Sequence, residues 1–328
     1  MQQIPILDIR DLYLQFKAFG GTLKVLDGVN LKVWPREVIG VIGESGCGKT
    51  TTMKAVMKIH SQSNTKISKG EILFKDKDIL KMKTEEIQQV RRTGISMIFQ
   101  DPTAALCPIF TIGAHLRDVA KYSIGKEKFK REELNALIID VLNKVMLPDP
   151  ERILQNYPLQ LSGGMRQRVC IAMNLINNNK NLLIADEPDT SLDVTIKEQI
   201  LNLLSNLVHE QKLSLILISH ALGSVRNIAD RTYVMYAGSM IEVAETGELF
   251  SNPLHPYTQG LIAAVPKLIG GKMKGIDGSI PDYFRPSMGC RFHPRCKFRK
   301  SICEKEKPPF FVVNQEKKHE VSCWLFQK

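Results

Sequence analysis

The chain has 328 residues, 43% of them hydrophobic, enough for a substantial core in one large domain with an appendage or in two domains. No run of 18 or more apolar residues occurs, which excludes a membrane-spanning helix, and residues 1–10 lack the basic flank and apolar run of a secretory leader, so a cytosolic chain is expected. Net charge is +11, but residues 267–328 carry 14 Lys+Arg against 6 Asp+Glu, a net of +8; the other 266 residues hold about +3, so the excess that invites a nucleic-acid reading is local to the tail.

In chain order, continuous apolar runs predict buried strands at Val38-Ile39-Gly40-Val41-Ile42, Ile95-Ser96-Met97-Ile98-Phe99, Leu182-Leu183-Ile184-Ala185 and Leu213-Ser214-Leu215-Ile216-Leu217-Ile218. Helix-like stretches lie between them, among them 165–177 and 194–210. Apolar strands alternating with helices imply an α/β fold whose sheet is covered on both faces. Each strand ends in polar groups: Gly43-Glu44-Ser45-Gly46, Gln100-Asp101, Asp186-Glu187 and Ser219-His220. Ligands of α/β sheets bind along that carboxyl edge.

Past residue 250 the character shifts. Asn252-Pro253-Leu254-His255-Pro256-Tyr257 reads as a turn-rich hinge, with a short helix expected over 258–265. A basic, Cys-rich tail follows, too irregular to pack without a staple. The expected organisation is a main domain over 1–255 and a small extension over 256–328.

Gly43-Glu44-Ser45-Gly46-Cys47-Gly48-Lys49-Thr50 matches the phosphate-loop pattern GxxxxGK[ST] in full. Its glycines let backbone N–H groups face phosphates, and a helix starting near Lys49 offers its positive N-terminus. Lys49 would reach the β- and γ-phosphates, and the Thr50 hydroxyl would hold Mg²⁺. Cys47 reads as a small filler residue of the loop. The strand over 182–185 ends in two carboxylates. Asp186 suits a Mg²⁺ shell. Glu187, one residue on, points elsewhere and suits orienting or deprotonating an attacking water. A second phosphate-binding device is Leu161-Ser162-Gly163-Gly164-Met165-Arg166-Gln167-Arg168, a Ser-Gly-Gly opening a helix. Two such devices more than 100 residues apart make sense if two chains pair head to tail, each closing the other's nucleotide.

These motifs resemble the ABC ATPase family over residues 1 to about 250. The match takes in the phosphate loop, the Q-loop Gln100, the signature over 161–167, Asp186-Glu187, the D-loop Ser191-Leu192-Asp193 and the switch His220. The resemblance implies a P-loop NTPase (RecA-like) core with an antiparallel β-subdomain near the N-terminus and a helical subdomain at about 105–165. It implies catalytic roles for Glu187, His220 and Gln100, with Thr50, Gln100 and Asp186 around Mg²⁺. Nucleotide contacts fall to residues 43–50 (Gly43, Glu44, Ser45, Gly46, Cys47, Gly48, Lys49 and Thr50), to Thr51, and to Ser162, Gly163, Gly164, Asp186 and Asp193. An aromatic side chain should stack on adenine; by position this is Phe19, with Phe16 the other candidate. Two departures stand out: Ala221 follows the switch histidine where importers commonly have Asp, and Met165 replaces the commoner Gln of the signature.

Finer resemblance is to the dipeptide/oligopeptide/nickel importer branch, carried by Gln100-Asp101-Pro102 with Cys107-Pro108, by Asn252-Pro253-Leu254-His255-Pro256-Tyr257-Thr258 and by Gly289-Cys290-Arg291-Phe292-His293-Pro294-Arg295-Cys296. It implies a motor for peptide import that pairs with a second homologous ATPase subunit. Two transmembrane permease subunits and, indirectly, an extracytoplasmic solute-binding protein complete the expected assembly. The chain would sit at the cytoplasmic face of the cell membrane, and no nucleic acid is expected.

The tail reads Cys290-x5-Cys296-x6-Cys303-x19-Cys323. Clustered cysteines in a reducing cytosol point to metal rather than disulfides. Tight Cys-x2–4-Cys knuckles are absent, so the spacing fits a [4Fe-4S] cluster better than zinc, which stays the alternative. The expected role is a structural staple. Two rival functions remain: a motor for nickel or another solute, and a soluble ABC ATPase in iron–sulfur or nucleic-acid processes. A binding module with a dead ATPase is disfavoured, because Lys49, Glu187 and His220 are all present.

Overall fold

The computed structural model describes residues 4–61, 63–124, 130–177, 180–190, 192–264 and 275–327. Ser191 of the expected D-loop and Val265 of the expected short helix lie outside them. The strands in chain order are β1 (Leu7–Ala18), β2 (Gly21–Val33), β3 (Val38–Ile42), β4 (Thr65–Phe74), β5 (Lys77–Asp78), β6 (Ile95–Ile98), β7 (Leu182–Asp186), β8 (Ser214–Ile218), β9 (Arg231–Tyr236), β10 (Ser239–Glu245), β11 (Phe311–Asn314) and β12 (His319–Val321). The helices are α1 (Lys49–Val56), α2 (Thr84–Thr93), α3 (Pro102–Ala105), α4 (Ile112–Ile124), α5 (Arg131–Lys144), α6 (Pro150–Gln155), α7 (Gly163–Leu175), α8 (Val194–Gln211), α9 (Leu222–Ile228), α10 (Thr246–Ser251), α11 (Pro256–Ala263) and α12 (Ile302–Lys305). All four strands read from apolar runs form, within a residue of their expected ends. No described helix is long and apolar enough to cross a membrane.

Two compact units result, Met1–Met82 with Leu217–Lys328, and Lys83–Ile216. The boundary expected near residue 255 falls inside the first unit. That unit holds an antiparallel sheet ordered β2-β1-β4-β5, which is the expected β-subdomain. It also holds the run β11-β12-β10-β9-β3, in which β3 and β9 are parallel. Every residue of β3 is buried, as a continuous Val/Ile run covered on both faces requires. The β9–β10 hairpin turns at Ala237 and Gly238, both with positive φ. Gly238 cannot be replaced without displacement, since a Cβ there would lie 1.9 Å from the Val25 carbonyl oxygen.

The second unit pairs β6 with β7 in parallel and surrounds them with helices. α4, α5 and α6 occupy the expected helical region. α5 buries Leu134, Ile138, Val141 and Leu142, one stripe at helical spacing. Each such side chain removed from water contributes about 1.5–3 kcal/mol. Polar side chains start the functional helices: Ser162 accepts from Met165 N at 3.3 Å and Asp193 from Ile196 N at 2.9 Å.

The tail is less irregular than its composition predicts. β12 pairs with β10 through Glu242↔Val321 and Val243↔Glu320, and β11 pairs with β12. Phe292 stacks edge-on against Tyr236 and Tyr257, with ring centroids 5.1 and 5.6 Å away. Strand pairing and an aromatic cluster therefore help to order the segment. The apolar run Phe310-Phe311-Val312-Val313 was the available signal for β11.

Candidate nucleotide-binding site

In the first unit, β3 runs directly into the loop over 43–50. Gly43, Gly46 and Gly48 all take positive φ (154°, 78° and 110°), the region an L side chain resists. At Gly43 a Cβ would also sit 2.1 Å from the Met235 carbonyl oxygen. Gly48 caps α1 without any side-chain bond, and the first turn of α1 holds no acidic residue. The helix N-terminus thus keeps the positive polarity a phosphate requires. Lys49 is buried and turned back on the loop, its Nζ donating to the carbonyls of Gly43 (2.8 Å) and Glu44 (3.1 Å). Burial pushes the neighbouring Cys47 thiol up, with Lys49 opposing. Cys47 is thus a packed, protonated residue, in keeping with its reading as filler.

Ser45 and Gly46 are exposed, while Thr50 and Thr51 are half-buried at the start of α1. His220 is exposed just beyond β8, where Ser219 Oγ accepts from Ala221 N at 2.9 Å. Phe19 stands fully exposed at the tip of the β1–β2 hairpin, free to stack on a flat ring. Phe16 instead packs against the His60 ring, centroids 5.5 Å apart.

In the second unit, Gln100 and Glu187 come together. The Gln100 amide donates to Glu187 Oε2 at 2.8 Å, and the Thr190 hydroxyl donates to the same oxygen at 3.3 Å. Asp186 and Glu187 are both buried. Glu187 takes φ 47°, a left-handed conformation that costs a non-glycine residue on the order of 1 kcal/mol. That turn takes Glu187 off the line of β7, which ends at Asp186. Gly164 faces α8, where a Cβ would meet Ile196 Cγ2 at 2.9 Å. Ser162 and Asp193 are exposed and already serve as helix caps.

The family model for the ABC transporter matches residues 26–190. This chain belongs to the ABC transporter family. A second model, the C-terminal region of oligopeptide/dipeptide transporters, matches residues 241–303. Among relatives of this ABC protein, the dipeptide transport ATP-binding protein DppD of Bacillus subtilis (strain 168) is 40% identical, covering 98% of this chain and 94% of that one. The oligopeptide transport ATP-binding protein OppD of the same organism is also 40% identical, covering 98% and 88%. Among solved structures, the dimeric ATP-binding cassette MJ0796 bound to ADP and Pi shares the fold, with a TM-score of 0.65 at 24% identity over 73% of this chain and 98% of that one. As an ABC-type ATPase the protein binds and hydrolyses ATP.

The four tail cysteines of this ABC ATPase line one small cavity, together with His255, Phe292, Phe298 and Trp324. Burial pushes the Cys290 thiol up to about 12 and the Cys323 thiol up to about 11, with the neighbouring thiols adding to both, and it raises Cys296 as well. Yet among the described residues no three His, Cys, Asp or Glu side chains are placed to hold a metal ion. His293 Nδ1 bonds the Cys290 carbonyl (3.0 Å) and Ser287 Oγ (3.2 Å), consistent with a packing residue.

Three residues that touch the phosphate loop were given no part in the nucleotide site by the sequence. The Glu44 N–H donates to Tyr257 Oη and Tyr283 Oη donates to the Gly46 carbonyl, each at 2.8 Å. Arg295 holds both carboxylate oxygens of Glu44, at 2.9 and 3.2 Å. These partners lie more than 200 residues away in the chain, so no local pattern announces them.

Proposed function

We propose that this chain is the ATP-hydrolysing subunit that powers import of di- and oligopeptides through a membrane ABC transporter. The observation that carries the reading is the likeness to named dipeptide and oligopeptide transport ATP-binding proteins over almost the whole chain, tail included. In this reading Lys49 and the 43–50 backbone hold the β- and γ-phosphates, and Thr50, Gln100 and Asp186 serve the Mg²⁺ shell. Glu187 orients the attacking water, His220 donates to the γ-phosphate, and Phe19 stacks on adenine. Ser162, Gly163 and Gly164, with Asp193, close the nucleotide of a partner ATPase of the same kind. Nucleotide-driven closure of the pair is passed to two permease subunits at the cytoplasmic face, served by an extracytoplasmic solute-binding protein. The domain reading is kept as 1–255 for the nucleotide-binding domain and 256–328 for the extension.

The test is transport. The chain, its permeases and its partner ATPase in proteoliposomes should hydrolyse ATP and accumulate a dipeptide, and should lose both with Glu187→Gln. Accumulation of nickel with no peptide would transfer the protein to the nickel reading. ATP turnover that ignores the permeases would favour a soluble ATPase.

We also infer that Cys290, Cys296, Cys303 and Cys323 hold a [4Fe-4S] cluster as a staple. What supports it is four thiols lining one small cavity. Ligation would replace buried thiols by thiolates whose charge the cluster irons and the tail's +8 offset. Anaerobically purified protein should be brown, with absorbance near ~400 nm and about four iron atoms per chain. A colourless protein free of iron would remove the cluster.

A further inference from the structure

The phosphate loop is held by a part of the chain that the ABC signature motifs do not include. Arg295 sits between two of the tail cysteines in sequence, and its side chain is only 6% exposed. The carbonyls of Ile276 (3.0 Å) and Asp277 (2.9 Å) accept from its guanidinium and lock it in place. From there its fork grips Glu44, the second residue of the loop. Burial opposes the Arg295 charge, but the bonds to Glu44 and Tyr236 outweigh it and hold the guanidinium firmly protonated. Tyr257 and Tyr283 grip the loop backbone on either side, at the Glu44 N–H and the Gly46 carbonyl.

We propose that the C-terminal segment is a brace for the phosphate loop, and that Arg295 is a positioning residue for nucleotide binding, acting through Glu44. The inference rests on the reading that residues 43–50 hold the phosphates. Two physical effects follow from the geometry. The bidentate fork fixes Glu44 and with it the entry of the loop, so less ordering is left to do when the nucleotide arrives. It also cancels the Glu44 carboxylate, a negative charge on a loop that must accept a polyanion. Without Arg295 that carboxylate, one-quarter exposed, faces the incoming phosphates uncompensated.

The experiment measures equilibrium binding of Mg-ATP, and kcat and KM for hydrolysis, in the full chain. Arg295→Gln should weaken binding and raise KM roughly tenfold or more, the range of one charge-assisted hydrogen-bond pair, while kcat at saturation stays within about threefold. Adding Glu44→Gln to Arg295→Gln should restore most of the affinity, because the uncompensated charge is gone; a merely structural contact would lose more, not recover. Arg295→Lys should fall between wild type and Arg295→Gln. If Arg295→Gln does not fold, Tyr283→Phe reads the same brace by removing one hydroxyl, with an expected loss of about threefold in affinity. Unchanged affinity in Arg295→Gln, or in Tyr283→Phe where that variant is used, overturns the brace, as does a double variant weaker than the single. Wild-type protein that fails to bind Mg-ATP, or Lys49→Ala that binds it undiminished, removes the phosphate-loop reading and the brace together. Wild type that binds beside an Arg295→Gln that binds equally removes the brace alone.

Discussion

The Gln100 side-chain amide donates to Glu187 Oε2 at 2.8 Å, joining the end of β6 to the end of β7. The bond orients a carboxylate that the left-handed backbone at Glu187 has already turned off the strand. Glu187→Gln keeps the shape and the Gln100 contact but loses the proposed base. Hydrolysis should fall by at least about 100-fold while Mg-ATP binding stays within a few-fold, and a closed dimer should accumulate on ATP. Phosphate release and size-exclusion chromatography on one preparation check both; near-normal turnover would take Glu187 out of the catalytic role.

Gly43→Ala places a methyl 2.1 Å from the Met235 carbonyl in a backbone region alanine resists. β3 and the β9–β10 turn cannot both stay in place, so a loss on the order of 2 kcal/mol in stability and of most ATP affinity is expected. Thermal melting and equilibrium dialysis would show it. A variant with wild-type melting would mean that the loop relaxes freely at this point.

Ala221 is the N-cap of α9, with extended backbone and no side-chain cap. Asp has the cap oxygen that Ala lacks. Ala221→Asp should stabilise the chain by about 1 kcal/mol and raise Tm by about 2 °C. Calorimetry decides it: an unchanged or lower Tm would show that a carboxylate beside His220 costs more than the cap returns.

His255 is fully buried, and burial lowers its pKa to about 4, against the opposing pull of Glu242. Its Nδ1 accepts from Tyr257 N at 3.0 Å, which requires the neutral ring. The unfolded chain therefore binds a proton between about pH 6.5 and 4 that the folded chain refuses. Stability is full above pH 6.5 and falls with pH through that window, by on the order of 3 kcal/mol at its lower end. His255→Asn keeps a cap acceptor without titrating. Denaturant midpoints at pH 7 and pH 5 should converge in that variant; an equal acid loss in both proteins would exonerate His255.

Much of the proposed site was legible because it is local. The 43–50 loop, Asp186-Glu187 and Ser162-Gly163-Gly164 each pack residue type and spacing into a few positions, and their strands announce themselves as apolar runs. The tail was harder to read. Its Gly, Pro and charge content masks β11 and β12, which are short and depend on β10 for their hydrogen bonds. Their existence is a property of the pairing and not of the segment's own propensity.

The sequence alone singled out the residues proposed to carry the nucleotide chemistry, because glycines in a tight loop and carboxylates at strand ends act through their immediate neighbours. Tertiary structure alone decided what supports that loop. Arg295, Tyr257 and Tyr283 reach Glu44 and Gly46 across more than 200 residues. A hydrogen bond depends on separation in space, and only folding sets that distance.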